Sequence, residues 1–339
     1  MRVPGPAVTP LAPARSRVQR HYRVHGIGIA VSADAELAAA LDARLGPFAT
    51  RDAGRAPLIV EYSWTRGEQQ PAIRRPDGPA RPVCELPAGE VTYFGRTDRL
   101  YLEYDSRVRV LAEPARGLVQ VAVHEPSAAH SWLLSHALFT LPLVELLKRR
   151  GLFSLHAAGL ALDGRALVVA GCCGAGKSTL SLALARAGFG LLGDDTLLLA
   201  RESNGGLRVL AFPDELDLTD STIALFPELG HLLGQPRRPG APKRQVRPEE
   251  LPATRIVWDG APRVLLFPRV AHTRQSRLTP IGRDEALVEL APNVLLTEPR
   301  SSQAHLDALA ELVRASTCYR LETGHDLERL PAFLRPLLG

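Results

Sequence analysis

Lysine is almost missing from this 339-residue chain: only Lys148, Lys177 and Lys243 appear among 41 basic residues, and the rest are arginine. A coding bias toward arginine would produce that without selection, so a retained lysine carries more information than any arginine. Cysteine is scarce too. Cys84, Cys172, Cys173 and Cys318 are too few and too scattered for a disulfide framework, and no Cys-x-x-Cys pair offers a zinc site. No apolar run has the length of a membrane span, because the best candidate, residues 132–147, is interrupted by His136, Pro142 and Glu145. Pro4, Pro6, Pro10 and Pro13 break the first twenty residues before a signal-peptide stretch can form. These absences lead to the expectation of a cytoplasmic globular protein that does not engage a membrane.

The formal charge of +5 has a local origin. Residues 1–25 hold five arginines and no acid, and residues 234–248 hold five positive charges and no acid, which leaves the remainder at −5. A mildly acidic body argues against a broad nucleic-acid surface. Residues 1–20 read as a disordered basic tail. Strand-like runs at 22–31, 58–64, 91–96, 100–104, 108–111 and 118–124, with a helix at 33–45 capped by Ser32, describe a smaller strand-rich α+β domain over 21–126.

A helix at 127–150 opens the second domain, 127–339, where the pattern becomes α/β. Strands 152–162 and 165–170 flank the turn Asp163-Gly164 and lead into a helix at 178–187. Strands at 189–192, 196–201, 207–212 and 264–267 and helices at 284–290, 304–315 and 327–338 follow. Residues 234–248, with four prolines, read as a surface loop without regular structure.

Between strand and helix the chain reads Gly171-Cys172-Cys173-Gly174-Ala175-Gly176-Lys177-Ser178, which satisfies G-x-x-x-x-G-K-[ST] at every fixed position. Glycines let the backbone curl inward, and the N–H groups of such a loop and of the following helix can surround a phosphate. Gly171, Gly174, Ala175, Gly176, Lys177, Ser178 and Thr179 are therefore the expected contacts of ATP or another nucleoside triphosphate. Lys177 would reach its β and γ phosphates, and Ser178 would ligate Mg²⁺. A plain glycine turn would explain the glycines but not the lysine. The vicinal thiols Cys172 and Cys173 read either as redox sensors or as small side chains that fit.

A triphosphate site needs a second acidic centre, and Asp194 and Asp195 follow a strand only 16 residues after Ser178. The alternative is that they merely start a turn. His156 lies in the strand before the loop, where it is either a satisfied core residue or a partner for an aspartate. Lys243 and Arg244, in the basic loop, could stabilise a transferred phosphoryl group or stay a solvated charge run.

The stretch 155–159, then 168–179, then 190–195 resembles the catalytic core of HPr kinase/phosphorylase and its relatives, which include serine kinases that modify lasso-peptide precursors. A strand histidine, a Walker A loop and an Asp-Asp pair occur in that family's order. The resemblance covers residues 152–199 well, extends weakly through 280–290 and hardly touches the first 125. It implies a P-loop core shared with phosphoenolpyruvate carboxykinase, Asp194 as general base tuned by His156, and Asp195 with Ser178 at the metal. The activity implied is ATP-dependent transfer of a γ-phosphoryl group to a Ser or Thr hydroxyl of a peptide or small protein. A small-molecule kinase and a nucleotide-hydrolysing switch are the other readings. Whether the chain forms a homo-oligomer stays open.

Overall fold

The computed structural model describes residues 17–51, 57–65, 73–86, 88–125, 128–203, 205–237, 241, 243–251, 254–271 and 273–339. Most of the basic tail expected at 1–20 therefore lies outside the described residues, while its last four residues, 17–20, are in the first strand. The chain is a mixed α/β protein with two large sheets.

The first sheet comprises β1 (Arg17–Val24), β2 (Ile27–Asp34), β3 (Leu58–Thr65), β4 (Arg81–Leu86), β5 (Gly89–Phe94), β6 (Arg99–Tyr104), β7 (Val108–Glu113) and β8 (Leu118–His124). Their spatial order is β1-β2-β3-β8-β7-β6-β5-β4. Helix α1 (Ala35–Leu45) follows β2, and α2 (Ala128–Ser135) and α3 (Ala137–Lys148) follow β8. The single strand expected at 22–31 is a hairpin. His25 and Gly26 both take positive φ, 44° and 86°, which gives the two-residue turn that matches strand twist. Asp34, not Ser32, caps α1, its carboxylate accepting from the Leu37 N–H at 2.8 Å. The helix expected at 127–150 breaks at His136, whose φ of −112° and ψ of −103° are not helical.

The second half carries β9 (Phe153–Leu155), β10 (Ala157–Leu162), β11 (Arg165–Ala170), α4 (Lys177–Arg186), β12 (Gly190–Gly193), β13 (Leu197–Arg201), β14 (Leu207–Leu210), β15 (Leu216–Leu218) and α5 (Asp220–Ala224). Then come β16 (Arg244–Val246), β17 (Asp259–Val270), β18 (Arg277–Pro280), α6 (Arg283–Leu290), α7 (Pro299–Ala315), β19 (Thr317–Thr323) and α8 (Leu330–Leu334). Three parallel strands, β11-β17-β19, form the middle of its sheet. Strand β10 runs antiparallel beside β11 and carries β12 on its far side.

Strand β11 and the centre of β17 are apolar on both faces, as strands covered by helices on both sides must be. Ala166, Val168 and Ala170 of β11 pack with α6 and α7, while Leu167 and Val169 pack with α4 and the carboxy-terminal turns. The run expected at 264–267 is only the buried centre of β17. The helix expected at 327–338 is mostly 3₁₀ turns around α8, because Pro331 and Pro336 interrupt it. The loop expected at 234–248 contains β16, which pairs with β15.

The two halves share buried contacts. The core between the first sheet and α1–α3 takes in Leu152, Leu198 and Phe212. Arg44, at the end of α1, is buried and donates to the Ser135 carbonyl at 2.7 Å and to Asp214 Oδ2 at 2.8 Å. Burial pushes Asp214 up to about 7 although Arg44 pulls it down, and Asp195 and Asp217 add to the rise. Replacing Arg44 with Met should therefore lower the unfolding free energy by about 3–5 kcal/mol at pH 8, where the stranded carboxylate is ionised. The loss should shrink at pH 5, where a proton neutralises it. Urea titration at both pH values checks this, and equal losses would contradict it.

Candidate active site

Strand β11 ends at the buried Ala170, and the glycine-rich loop carries the chain into α4. Gly174 and Gly176 sit at φ of 82° and 97°, a region a side chain would strain, and Gly176 is the N-cap of α4. The first amides of a helix have no acceptor within it, so they are free to meet an anion. Lys177 is folded over the loop, its ammonium donating to the carbonyls of Gly171 at 2.7 Å and Cys172 at 3.3 Å. The Ala175 N–H donates to the same Cys172 carbonyl at 3.2 Å.

Strand β12 delivers the two aspartates beside this loop. Gly193 precedes them because nothing larger fits: a Cβ there would lie 2.7 Å from the Thr196 carbonyl oxygen and 2.9 Å from that of Phe212. Asp194 is only 3% exposed, and among the described residues its Oδ1 has no hydrogen-bond partner. Burial raises its pKa to about 6; the hydroxyls of Ser178 and Ser181 draw it down, and Asp195 and Asp217 push it up.

Asp195 differs, with 60% of its side chain open to the cavity. His156 Nδ1 approaches Asp195 Oδ1 at 3.3 Å. The protein atoms crowded around Asp195 oppose its charge more than any other single influence. The His156 hydrogen bond and the attraction of His156, Lys177 and Arg44 together outweigh that and hold it below the usual carboxylate range. His156 is not inside a continuous strand, as expected at 152–162. It fills the break between β9 and β10, its N–H donating to the Asn293 carbonyl at 2.8 Å, which leaves the ring half exposed.

These groups line one cavity of about 590 Å³. His156, Gly174, Gly176, Lys177, Ser178, Thr179, Asp194, Asp195 and Lys243 all line it, while Gly171 and Ala175 of the loop do not. Arg244 is elsewhere. Its guanidinium holds Asp220 Oδ1 at 2.9 Å and the Leu233 carbonyl at 3.0 Å and faces a separate groove. The far wall consists of residues that sequence reasoning missed: Asp217, Thr219, Thr222, Thr323 and His325. A cap signature marked one of them, since Thr219 Oγ1 accepts from the Thr222 N–H at 3.1 Å. Thr323 and His325 lie at and just beyond the end of β19, far along the chain, and carried no local signal. Among the described residues, no cluster of three or more His, Cys, Asp and Glu could hold a metal by itself. The arrangement sets the positive loop and Lys177 opposite one buried and one open carboxylate in the same cavity.

No family model matches the chain, and no curated protein does. Among solved structures, it is similar to the HPr(Ser) kinase/phosphatase from Coxiella burnetii at 16% identity, over 54% of this chain and 92% of that one, with a TM-score of 0.26. A score that low carries no argument, so the chemistry of this site is read from its own residues. Among the described residues, no helix is long and apolar enough to cross a membrane.

Asp194 binds a proton more tightly folded, at about 6, than at its ordinary 3.8, so stability falls as pH rises between those values and stays reduced above them. The difference is worth about 3 kcal/mol. Substituting Asp194→Asn should raise the unfolding free energy by up to that amount at pH 8 and change it little near pH 4. Denaturant titrations at the two pH values decide, and a variant destabilised equally at both would contradict the origin assigned to the raised pKa.

Proposed function

We propose that this chain is an ATP-dependent kinase that transfers the γ-phosphoryl group to a Ser or Thr hydroxyl of a peptide or small protein, on a P-loop core. The observation that carries the reading is the meeting, in one cavity, of a glycine loop ending in Lys177-Ser178 with one buried and one open aspartate. The residues fit magnesium ATP on three counts. A Cβ at Gly174 would meet nothing within 4 Å among the described residues, so they leave that part of the loop uncovered. Among the described residues, the Lys177 ammonium has only loop carbonyls for hydrogen-bond partners, and Asp194 Oδ1 has none.

Gly174, Gly176 and the first-turn amides of α4 through Thr179 would hold the phosphates, with Lys177 moving from the carbonyls to the nucleotide. Ser178 and Asp194 would hold Mg²⁺, which is commonly bound through one or two carboxylates with phosphate and water completing its shell. That exchanges the roles expected for the two aspartates, and burial is the reason: Asp194 is enclosed beside Ser178, whereas Asp195 faces the space an acceptor would enter. When bound, magnesium ATP supplies the electrophilic phosphoryl group and the charge that offsets its oxygens.

Asp195 stays ionised at neutral pH and would accept the hydroxyl proton, while His156 orients its carboxylate. Lys243 lines the same cavity and would add positive charge as negative charge builds on the phosphoryl oxygens. The strand-rich first half is proposed to help recognise the acceptor.

Incubation with γ-labelled ATP and serine- or threonine-bearing peptides tests the reading, and label should appear on peptide. Phosphate release without peptide labelling would favour a hydrolysing switch instead. Asp195→Asn should slow transfer by about 10²- to 10⁴-fold with nucleotide affinity retained. Lys177→Ala should weaken nucleotide binding. Full turnover in Asp195→Asn would return the base role to Asp194.

A further inference from the structure

The loop carries two groups that phosphoryl transfer leaves unused, the adjacent and exposed thiols of Cys172 and Cys173. Their surroundings differ. Cys173 lines the cavity beside Gly174, Lys177 and Ser178, whereas Cys172 does not. The other two cysteines are engaged elsewhere: Cys84 packs against the core of the first half, and Cys318 is buried in the second.

Neighbouring Cα atoms lie about 3.8 Å apart, less than the roughly 4.4–6.8 Å that unstrained disulfides span. A bond between Cys172 and Cys173 is therefore disfavoured, and an oxidised sulfur must find its partner outside the chain. An exposed thiol in its ionised form can supply that chemistry by attacking a disulfide.

We propose that Cys173 is a thiol-modification site that closes the cavity. Its thiolate attacks one sulfur of a low-molecular-weight disulfide, with glutathione disulfide as the probe. The disulfide's S–S bond breaks, a mixed disulfide forms on Cys173, and one equivalent of glutathione leaves as thiolate. A second thiol reverses the step by the same exchange. The adduct occupies the space beside Lys177 and Ser178, and its carboxylates compete for the Lys177 ammonium. An adduct on Cys172 lies outside the cavity and leaves it open. The closing effect rests on the reading that nucleotide enters this cavity; the modification does not.

The test treats the protein with glutathione disulfide, locates adducts by mass spectrometry and measures nucleotide affinity before and after. In the wild type, Cys173 should be modified and affinity should fall by about tenfold or more, with recovery after dithiothreitol. Cys172→Ser should behave like the wild type. Cys173→Ser, and Cys173→Ala as a second variant, should keep whatever affinity they have before treatment. Magnesium ATP should slow modification of Cys173 but not of Cys172. Affinity that survives complete modification of Cys173, or that falls equally in the Cys173 variants, overturns the proposal alone. An untreated protein that binds no nucleotide overturns the kinase reading and the closing effect with it.

Discussion

A carboxylate buried with one oxygen unpartnered is the constraint around which the second half is arranged. Asp194 lies enclosed at the end of β12, where ionisation costs about as much as a good core side chain contributes. Stability alone would not keep an acid there. The surrounding residues nonetheless hold it to one place: Gly193 permits the tight turn, Ser178 and Ser181 bring hydroxyls from α4, and Asp195 is turned outward toward His156. Adjacent acids in opposite environments can take opposite tasks, and the proposed transfer would use such a division.

The first half reaches this centre through α1. Arg44 ties the end of α2 to Asp214, and the Phe212 N–H donates to the Leu192 carbonyl at 2.9 Å, two residues before Asp194. The guanidinium thus sits in a chain of contacts that backs the acidic turn, and its charge helps to hold Asp195 ionised. A hydrophobic core that runs from the first sheet to Leu198 and Phe212 makes the tie stiff.

Local chemistry explains which parts of this the sequence made readable. The glycine loop, the Asp163-Gly164 turn and the long apolar strands declare themselves over a few residues, so the centre of the second sheet and most of the near wall of the cavity could be read. Histidine obscured three boundaries, at His25, His136 and His156, because it is neither a turn former nor a breaker by type and each of these depends on tertiary contacts. The two aspartates read as a pair; their difference in burial arises from Gly193 and the neighbouring 212–214 segment, which no short window contains. Arg244 looked like a free cation within a proline-rich run, yet β15 and Asp220 capture it. The far wall is assembled from β15, α5 and the end of β19, and contacts of that range leave no trace in spacing.

Calorimetric titration of ATP, with and without magnesium, into the wild type and into Asp194→Asn probes the proposed centre most directly. The wild type should bind ATP tightly only with the metal present, and the variant should lose most of that metal dependence while still binding the nucleotide weakly. Absence of ATP binding, or binding with the same affinity with and without magnesium in the wild type, would contradict a metal-assisted phosphoryl-transfer site at this loop.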